Sequence, residues 1–182
     1  MAKSIESRSR KLDVSNAIEA VTINEFKSII YDHKGAAFSK FLLLAVGIEY
    51  LVACLDDFPF DEPKESENRF NKSLKKLFPK SYDKFAKKSA KVYLFEEFRC
   101  PFVHQLRPGK KISLTHRLES KKEGTSHLHY IKNGGLVLVL EDLFDDFEKA
   151  SKKLINDFKT GKVTNKKGEA NFLVVTSIRN NE

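Results

Sequence analysis

The sequence predicts a mainly helical protein, a bundle with a small β-hairpin or sheet inserted at about residues 111–140. Three observations carry this reading. Apolar residues recur three and four apart over most of the chain, the spacing of one face of a helix. Between Ile112 and Leu140 the pattern changes to alternation and then to an unbroken apolar run, as in strands. Linker-like segments are short and no internal repeat is present, so the 182 residues read as one domain closed by a tail over about 162–182.

Val14, Ile18 and Val21 share a face, so a helix begins near Asp13. Thr22-Ile-Asn-Glu25 has the form of a capping box, hydroxyl first and carboxylate three residues on, which would start a further helix through Phe26, Ile29 and Ile30 with Gly35 as its stop. Phe38 to Asp57 is the longest helix candidate, apolar around nearly its whole circumference and hence buried on most sides. Phe58 to Glu65, with Pro59 and Pro63 among acids, is a loop. Glu67 to Phe78 is amphipathic, with Phe70, Leu74, Leu77 and Phe78 on one face, and Pro79 ends it. Helical spacing continues from about Ser81 to Phe98 as one or two helices, and Pro101 interrupts the helical run beyond them. Arg107-Pro-Gly-Lys110 signals a turn, and Ile112, Leu114 and His116 alternate as in a strand. His127 to Ile131, Asn133-Gly134-Gly135 and Leu136 to Leu140 spell a β-hairpin whose second strand is covered on both faces. Glu141 to Lys159 is a helix with Leu143, Phe144, Phe147, Ala150, Leu154, Ile155 and Phe158 on one stripe. Acids stand at its start and lysines in its later turns, as the helix dipole favours, and Gly161 stops it. Phe172 to Ile178 is a last strand or a docked tail.

Composition bounds the function. Hydrophobic residues make up 41% and charged residues 32%, with 15 Phe, enough for a packed core. Two cysteines, Cys54 and Cys100, exclude a disulfide scaffold and a four-thiolate zinc site and make a reduced, cytoplasmic protein the default. No signal peptide is read at the polar, basic start, and the most apolar segment, Phe41 to Ile48, falls far short of the roughly 20 residues of a membrane span.

The formal charge is +8, and it is blocky. Residues 64 to 91 hold ten Lys or Arg against three acids, residues 149 to 168 seven against one, and residues 141 to 148 five acids and no base. An RNA-binding face is one reading of the basic blocks, since lysines neutralise phosphates and release counterions. Solvated outer faces of amphipathic helices are the other.

Phosphate-cradling glycine loops, a G-x-S-x-G elbow and H-E-x-x-H are all absent. His127 and His129, two apart, would share a strand face and could seat a metal, but no third ligand stands nearby. Cys100 and His104 could form a nucleophilic pair, again without a third orienting group. No metal or other cofactor is implied. The segment Glu96 to Gln105 is more suggestive, because it places a fixed cation, Arg99, a titratable imidazole, His104, and two carboxylates beside an apolar helix end. Metal-independent RNA cleavage needs such groups: a base for the 2′-hydroxyl proton, an acid for the leaving 5′-oxygen and a cation for the phosphorane charge. In a regular helix Arg99 and His104 stand about 140° apart. Pro101 could let them converge, or two copies in a dimer could bring four such groups into one cleft.

Arg99-x4-His104, in the wording Phe98-Arg99-Cys100-Pro101-Phe102-Val103-His104-Gln105 after an aromatic-rich helix, resembles the R-x4–6-H motif of the HEPN superfamily. The resemblance implies a HEPN-like helical bundle, often a metal-independent endoribonuclease of toxin–antitoxin, defence or RNA-processing systems, with its composite site where two protomers meet. Carried over, Arg99 would bind and stabilise the phosphate and His104 would act as acid and base. Asp56 and Asp57 are candidates to orient that pair, and Arg107, Lys110 and Lys111 are candidate substrate-binding cations. The implied partners are RNA, a second copy of the chain, and an antitoxin or other protein. Other HEPN relatives are inactive and serve as binding or dimerisation modules, which is the alternative reading.

Overall fold

The computed structural model describes residues 5–11, 13–32, 35–132, 135–164 and 173–180, the first and last of these as backbone strands only. The expected turn residues Asn133 and Gly134 lie outside the described residues. The fold is mainly helical with a small sheet. Its helices are α1 (Val14–Ile18), α2 (Phe26–Asp32), α3 (Ala37–Ala53), α4 (Ser66–Lys76), α5 (Cys100–Gln105), α6 (Arg117–Lys122) and α7 (Leu140–Lys159). The strands are β1 (Ile5–Lys11), β2 (Ile112–Thr115), β3 (Leu136–Val139) and β4 (Leu173–Asn180).

Helix α3 is central, packed by α4, α5 and α7. Its inward residues Phe41, Leu44, Ala45, Ile48 and Leu51 are buried, while Phe38 and Val46 are exposed, so the helix is covered on most but not all sides. It spans 17 residues, and α7 with 20 is the longer helix instead. Gly47 is what lets α7 approach. A Cβ there would come within 2.8 Å of the rings of both Phe26 and Phe147, which stack on each other at 5.6 Å. Helix α7 buries the expected stripe except Phe158, which is half-buried, and ends at Lys159 with Thr160 as its cap, before Gly161 at φ +70°.

Asp13 caps α1, its carboxylate accepting the Asn16 N–H at 3.0 Å. The expected capping box at Thr22 is not one. A π-helical stretch, Glu19–Glu25, joins α1 to α2 without a break. Thr22 is wholly buried inside it, with Oγ1 2.7 Å from the Ile18 carbonyl and 3.2 Å from Ser151 Oγ on α7. The hydroxyl bonds backward to the turn before it, and no helix start forms.

Residues 58–65 form a loop, as expected, organised by Arg69 of α4. This arginine is 1% exposed, and its Nε and Nη2 reach the two Asp56 oxygens at 2.6 and 3.0 Å. The same guanidinium donates to the carbonyls of Phe58, Pro59 and Phe60 at 3.3, 2.7 and 2.9 Å.

The expected helices from Ser81 to Phe98 resolve into a 3₁₀-helix, Lys80–Phe85, a bend, and a π-helical stretch, Phe95–Arg99, that runs straight into α5. Pro101 therefore does not interrupt the helix. It stands inside this continuous helical run, and the carbonyl it cannot serve, that of Glu97, takes its hydrogen bond from Gly109 instead.

The inserted β element also differs from a hairpin. Strand β3 is fully buried as expected, but it pairs in parallel with β2, Ile112 opposite Leu136 through Thr115 opposite Val139. A parallel pair needs a crossover, and α6, which the sequence pattern did not signal, lies in it. Residues 127–131 only graze β3, through Leu128 N–H to the Val137 carbonyl, Val137 N–H to the His129 carbonyl, and one isolated bridge at Tyr130–Leu136. Leu128 at φ +59° turns the chain away. Near the termini, β1 and β4 pair antiparallel, so Leu173–Asn180 is a strand, and β1 is a strand that the periodicity did not signal.

Candidate functional site

Helix α5 and the π-helical stretch before it set the positions of Arg99 and His104. Pro101 has no N–H to offer the Glu97 carbonyl one turn back, and Gly109 N–H takes that acceptor at 2.7 Å. The Glu97 carboxylate also accepts the Lys111 N–H at 3.2 Å and lies 3.6 Å from Lys111 Nζ. Gly109 has to be glycine for this approach, since a Cβ would meet the Glu97 backbone at 2.8 and 2.9 Å. One of the two carboxylates of the segment is thus committed to holding the 107–111 turn.

Arg99 points inward. Its Nε donates to Glu49 Oε2 of α3 at 2.8 Å, its Nη2 lies 2.8 Å from the same oxygen and 3.1 Å from Ser66 Oγ, and it sits over the Phe95 ring. The side chains of this ion pair are 14% and 15% exposed, so the arginine's charge is already compensated in a sheltered place. His104 lies in the last turn of α5, exposed and without a hydrogen-bond or ion-pair partner among the described residues. Two side chains five positions apart in a helix face different ways, and here one faces α3 and α4 and the other solvent.

Asp56 does not orient either group, because its carboxylate grips Arg69. Asp57 is exposed at the loop start. Arg107 bonds Gln105 through Nε at 2.9 Å and, with Lys110 and Lys111, is exposed. Burial pushes the Cys100 thiol up, against the opposing pull of the neighbouring Arg99, which is the wrong direction for a thiolate nucleophile. His129 is exposed, while the ring of His127 is turned inward between Tyr82 and Val139, so the two histidines share no face. Among the described residues no group of three or more His, Cys, Asp or Glu could hold a metal. No described helix is long and apolar enough to cross a membrane.

The two basic blocks part company in the structure. In the block on α7, Lys149 pairs with Asp146, Lys152 with Glu148, and Lys153 and Lys162 with Asp157, at 2.7 to 3.5 Å. In the block over residues 64–91, Lys64, Lys72, Lys75, Lys76, Lys80, Lys84, Lys87, Lys88 and Lys91 are all exposed, and only Lys88 has an ion-pair partner among the described residues. Lys84 and Lys91 lie over the rings of Phe85 and Tyr130. The cause is legible in sequence. On α4 the positions one turn before Lys72, Lys75 and Lys76 are Asn68, Asn71 and Lys72, whereas α7 sets acids one turn from its lysines.

An open pocket of about 360 Å3 lies on this face, lined by Lys64, Glu67, Asn68, Asn71, Lys72 and Lys75. Two of the lining residues, Glu67 and Asn71, belong to a polar chain that runs on to Tyr93 and Lys88. Tyr93 Oη–H donates to Glu67 Oε1 at 2.7 Å, Asn71 Nδ2 donates to Tyr93 Oη at 2.6 Å, and Lys88 Nζ lies 3.1 Å from Glu67 Oε1. The Tyr93 hydrogen bond and then Lys88 hold the Glu67 carboxyl below the usual range. The one acid lining the pocket thus stays ionised and is paired with Lys88. In sequence these residues stand out only as part of a charged block, because nothing local links Tyr93 to α4.

Comparison with protein-family models, with curated proteins and with solved structures finds no match to this chain.

Proposed function

We propose that this protein is a non-catalytic helical module that binds RNA through the face formed by α4 and the segment running on to Lys91. The observation that carries the reading is the asymmetry of the basic blocks. Lys149, Lys152 and Lys153 of α7 are each answered by a carboxylate one turn away, while the lysines of residues 64–91 are left almost wholly uncompensated. A row of ammonium groups without carboxylate partners repels itself. It gains free energy when it replaces the condensed counterions of a nucleic acid.

The test is fluorescence anisotropy with a labelled single-stranded RNA across a salt series, on wild type, on Lys72→Glu/Lys75→Glu/Lys76→Glu and on Lys149→Glu/Lys152→Glu/Lys153→Glu. The two variants change net charge equally. The α4 variant should bind at least about tenfold more weakly and flatten the dependence of log K on log salt by about 0.7 for each phosphate it no longer neutralises, and the α7 variant should retain most of its binding. Equal weakening would reduce the interaction to bulk charge and sink the proposal.

The exposed imidazole of His104 favours a second reading, metal-independent RNA cleavage by a HEPN-like homodimer. It requires Arg99 to leave Glu49 and Ser66. Incubation of end-labelled RNA in EDTA with wild type, folded Arg99→Ala and folded His104→Ala tests it. Cleavage by wild type alone supports it, and no cleavage, or equal cleavage by all three, removes it.

A further inference from the structure

Asn71 is the one side chain of the α4 pocket with an unanswered buried hydrogen-bonding atom among the described residues. Its amide orientation is dictated by its neighbours. Tyr93 has a single hydroxyl proton and gives it to the Glu67 carboxylate, which can only accept, so the phenol oxygen must accept from Asn71. The Asn71 NH2 is thereby committed, and Oδ1 is turned the other way, buried and with no donor among the described residues. A buried amide oxygen without a donor costs free energy, and a donor supplied from outside recovers it. The pocket that Asn71 lines is bordered by Lys64, Lys72 and Lys75, none of which has an ion-pair partner among the described residues. Helical side chains lean back over the preceding turn, so the exposed, unpaired Lys75 stem is the group that has to move aside for a donor to reach the buried oxygen.

We propose, resting on the RNA-binding reading above, that this pocket seats one ribonucleotide and makes the face select RNA over DNA. The lysines take the phosphate, and Asn71 Oδ1 accepts a hydrogen bond from the adjacent ribose 2′-hydroxyl. Two features lead to that donor. In a nucleic acid strand held by its phosphates, the hydroxyl donor standing next to the phosphate is the 2′-hydroxyl, and DNA lacks it. The volume, about 360 Å3, lies within the roughly 300–1,000 Å3 of small-ligand sites and suits a single nucleotide.

The experiment compares a labelled oligouridylate with the deoxyuridine oligomer of the same length, which share base and charge and differ at the 2′ position. Uridine carries no exocyclic amine, so a base amine cannot supply the donor. Wild type should bind the RNA about three- to tenfold tighter, the scale of one hydrogen bond to an otherwise unsatisfied group. Asn71→Ala should abolish the preference by weakening RNA binding while leaving DNA binding unchanged. Tyr93→Phe, which keeps Oδ1 but frees the amide to rotate, should reduce the preference, and Lys75→Gln should weaken both oligomers together. Circular dichroism and melting verify that each variant is folded. If wild type binds both oligomers equally, or if folded Asn71→Ala keeps the preference, the ribose subsite is refuted and the lysine face stands. If wild type binds neither oligomer, the RNA-binding reading fails and the subsite falls with it.

Discussion

The inward-turned His127 makes the fold acid-sensitive in a way that can be worked out from its surroundings. Its Nδ1 accepts the Val139 N–H at 3.0 Å, so that nitrogen carries no proton in the folded state. The proton sits on Nε2, which donates to Tyr82 Oη at 2.7 Å, and Tyr82 in turn donates to Asp146 at 3.1 Å. Protonating Nδ1 would break the bond to Val139 and place a charge against the core. Burial lowers the His127 pKa from 6.5 to about 4, overcoming the opposing pull of Asp146 and Asp142. Between those two values the unfolded chain binds a proton that the folded chain refuses, so stability falls as pH falls through this window. At pH 4 the loss from this one group is about 3 kcal/mol, a large part of a domain's typical stability. Glu67, Glu141 and Asp157 also have lowered pKa values and lose stability in acid, so the histidine has to be isolated by difference. Urea unfolding of wild type and His127→Gln at pH 7.5 and pH 4, followed by circular dichroism, provides that difference. Wild type should lose about 3 kcal/mol more than the variant between the two pH values. Equal losses would mean that the folded protein accepts the proton, and the argument from burial would be wrong.

Two further predictions concern the core. Arg69→Ala leaves the Asp56 carboxylate and three loop carbonyls without the guanidinium donor, and should cost about 3–5 kcal/mol in chemical denaturation, the scale for breaking a buried ion pair. A loss below about 1 kcal/mol would show that water replaces the guanidinium freely. Gly47→Ala drives a methyl group into Phe26 and Phe147 and should lower stability by about 1–3 kcal/mol despite alanine's better helix propensity. An unchanged or raised melting temperature would contradict the packing of α3 against α7.

What local pattern can encode, this sequence encodes plainly. The amphipathic stripes of α4 and α7, the proline-bounded loop at 58–65, the buried strand Leu136–Val139 and the stop at Gly161 all depend on residues within a few positions of one another, so periodicity and turn chemistry suffice. The contrast between the basic blocks is equally present in the spacing of acids and lysines along each helix, although it takes the exposure of the side chains to give it meaning.

Tertiary structure decided the rest, because the deciding partners are distant in sequence. Thr22 has the form of a cap, yet Ser151 and the Ile18 carbonyl take its hydroxyl inside a continuous helix. The run 127–140 has the composition of a hairpin, but Leu128 turns away and β2 supplies a parallel partner for β3. Arg99 and His104 are fixed in the chain by five positions, yet whether the arginine's charge is free depends on Glu49, fifty residues before it, which takes it. Asn71, Tyr93 and Glu67 become one hydrogen-bonded chain only when the fold brings Tyr93 beside α4. A sequence determines which groups exist and which face of a helix each one occupies. Which charges remain uncompensated, and therefore able to bind a partner, is settled only when the fold has assigned every other charge its neighbour.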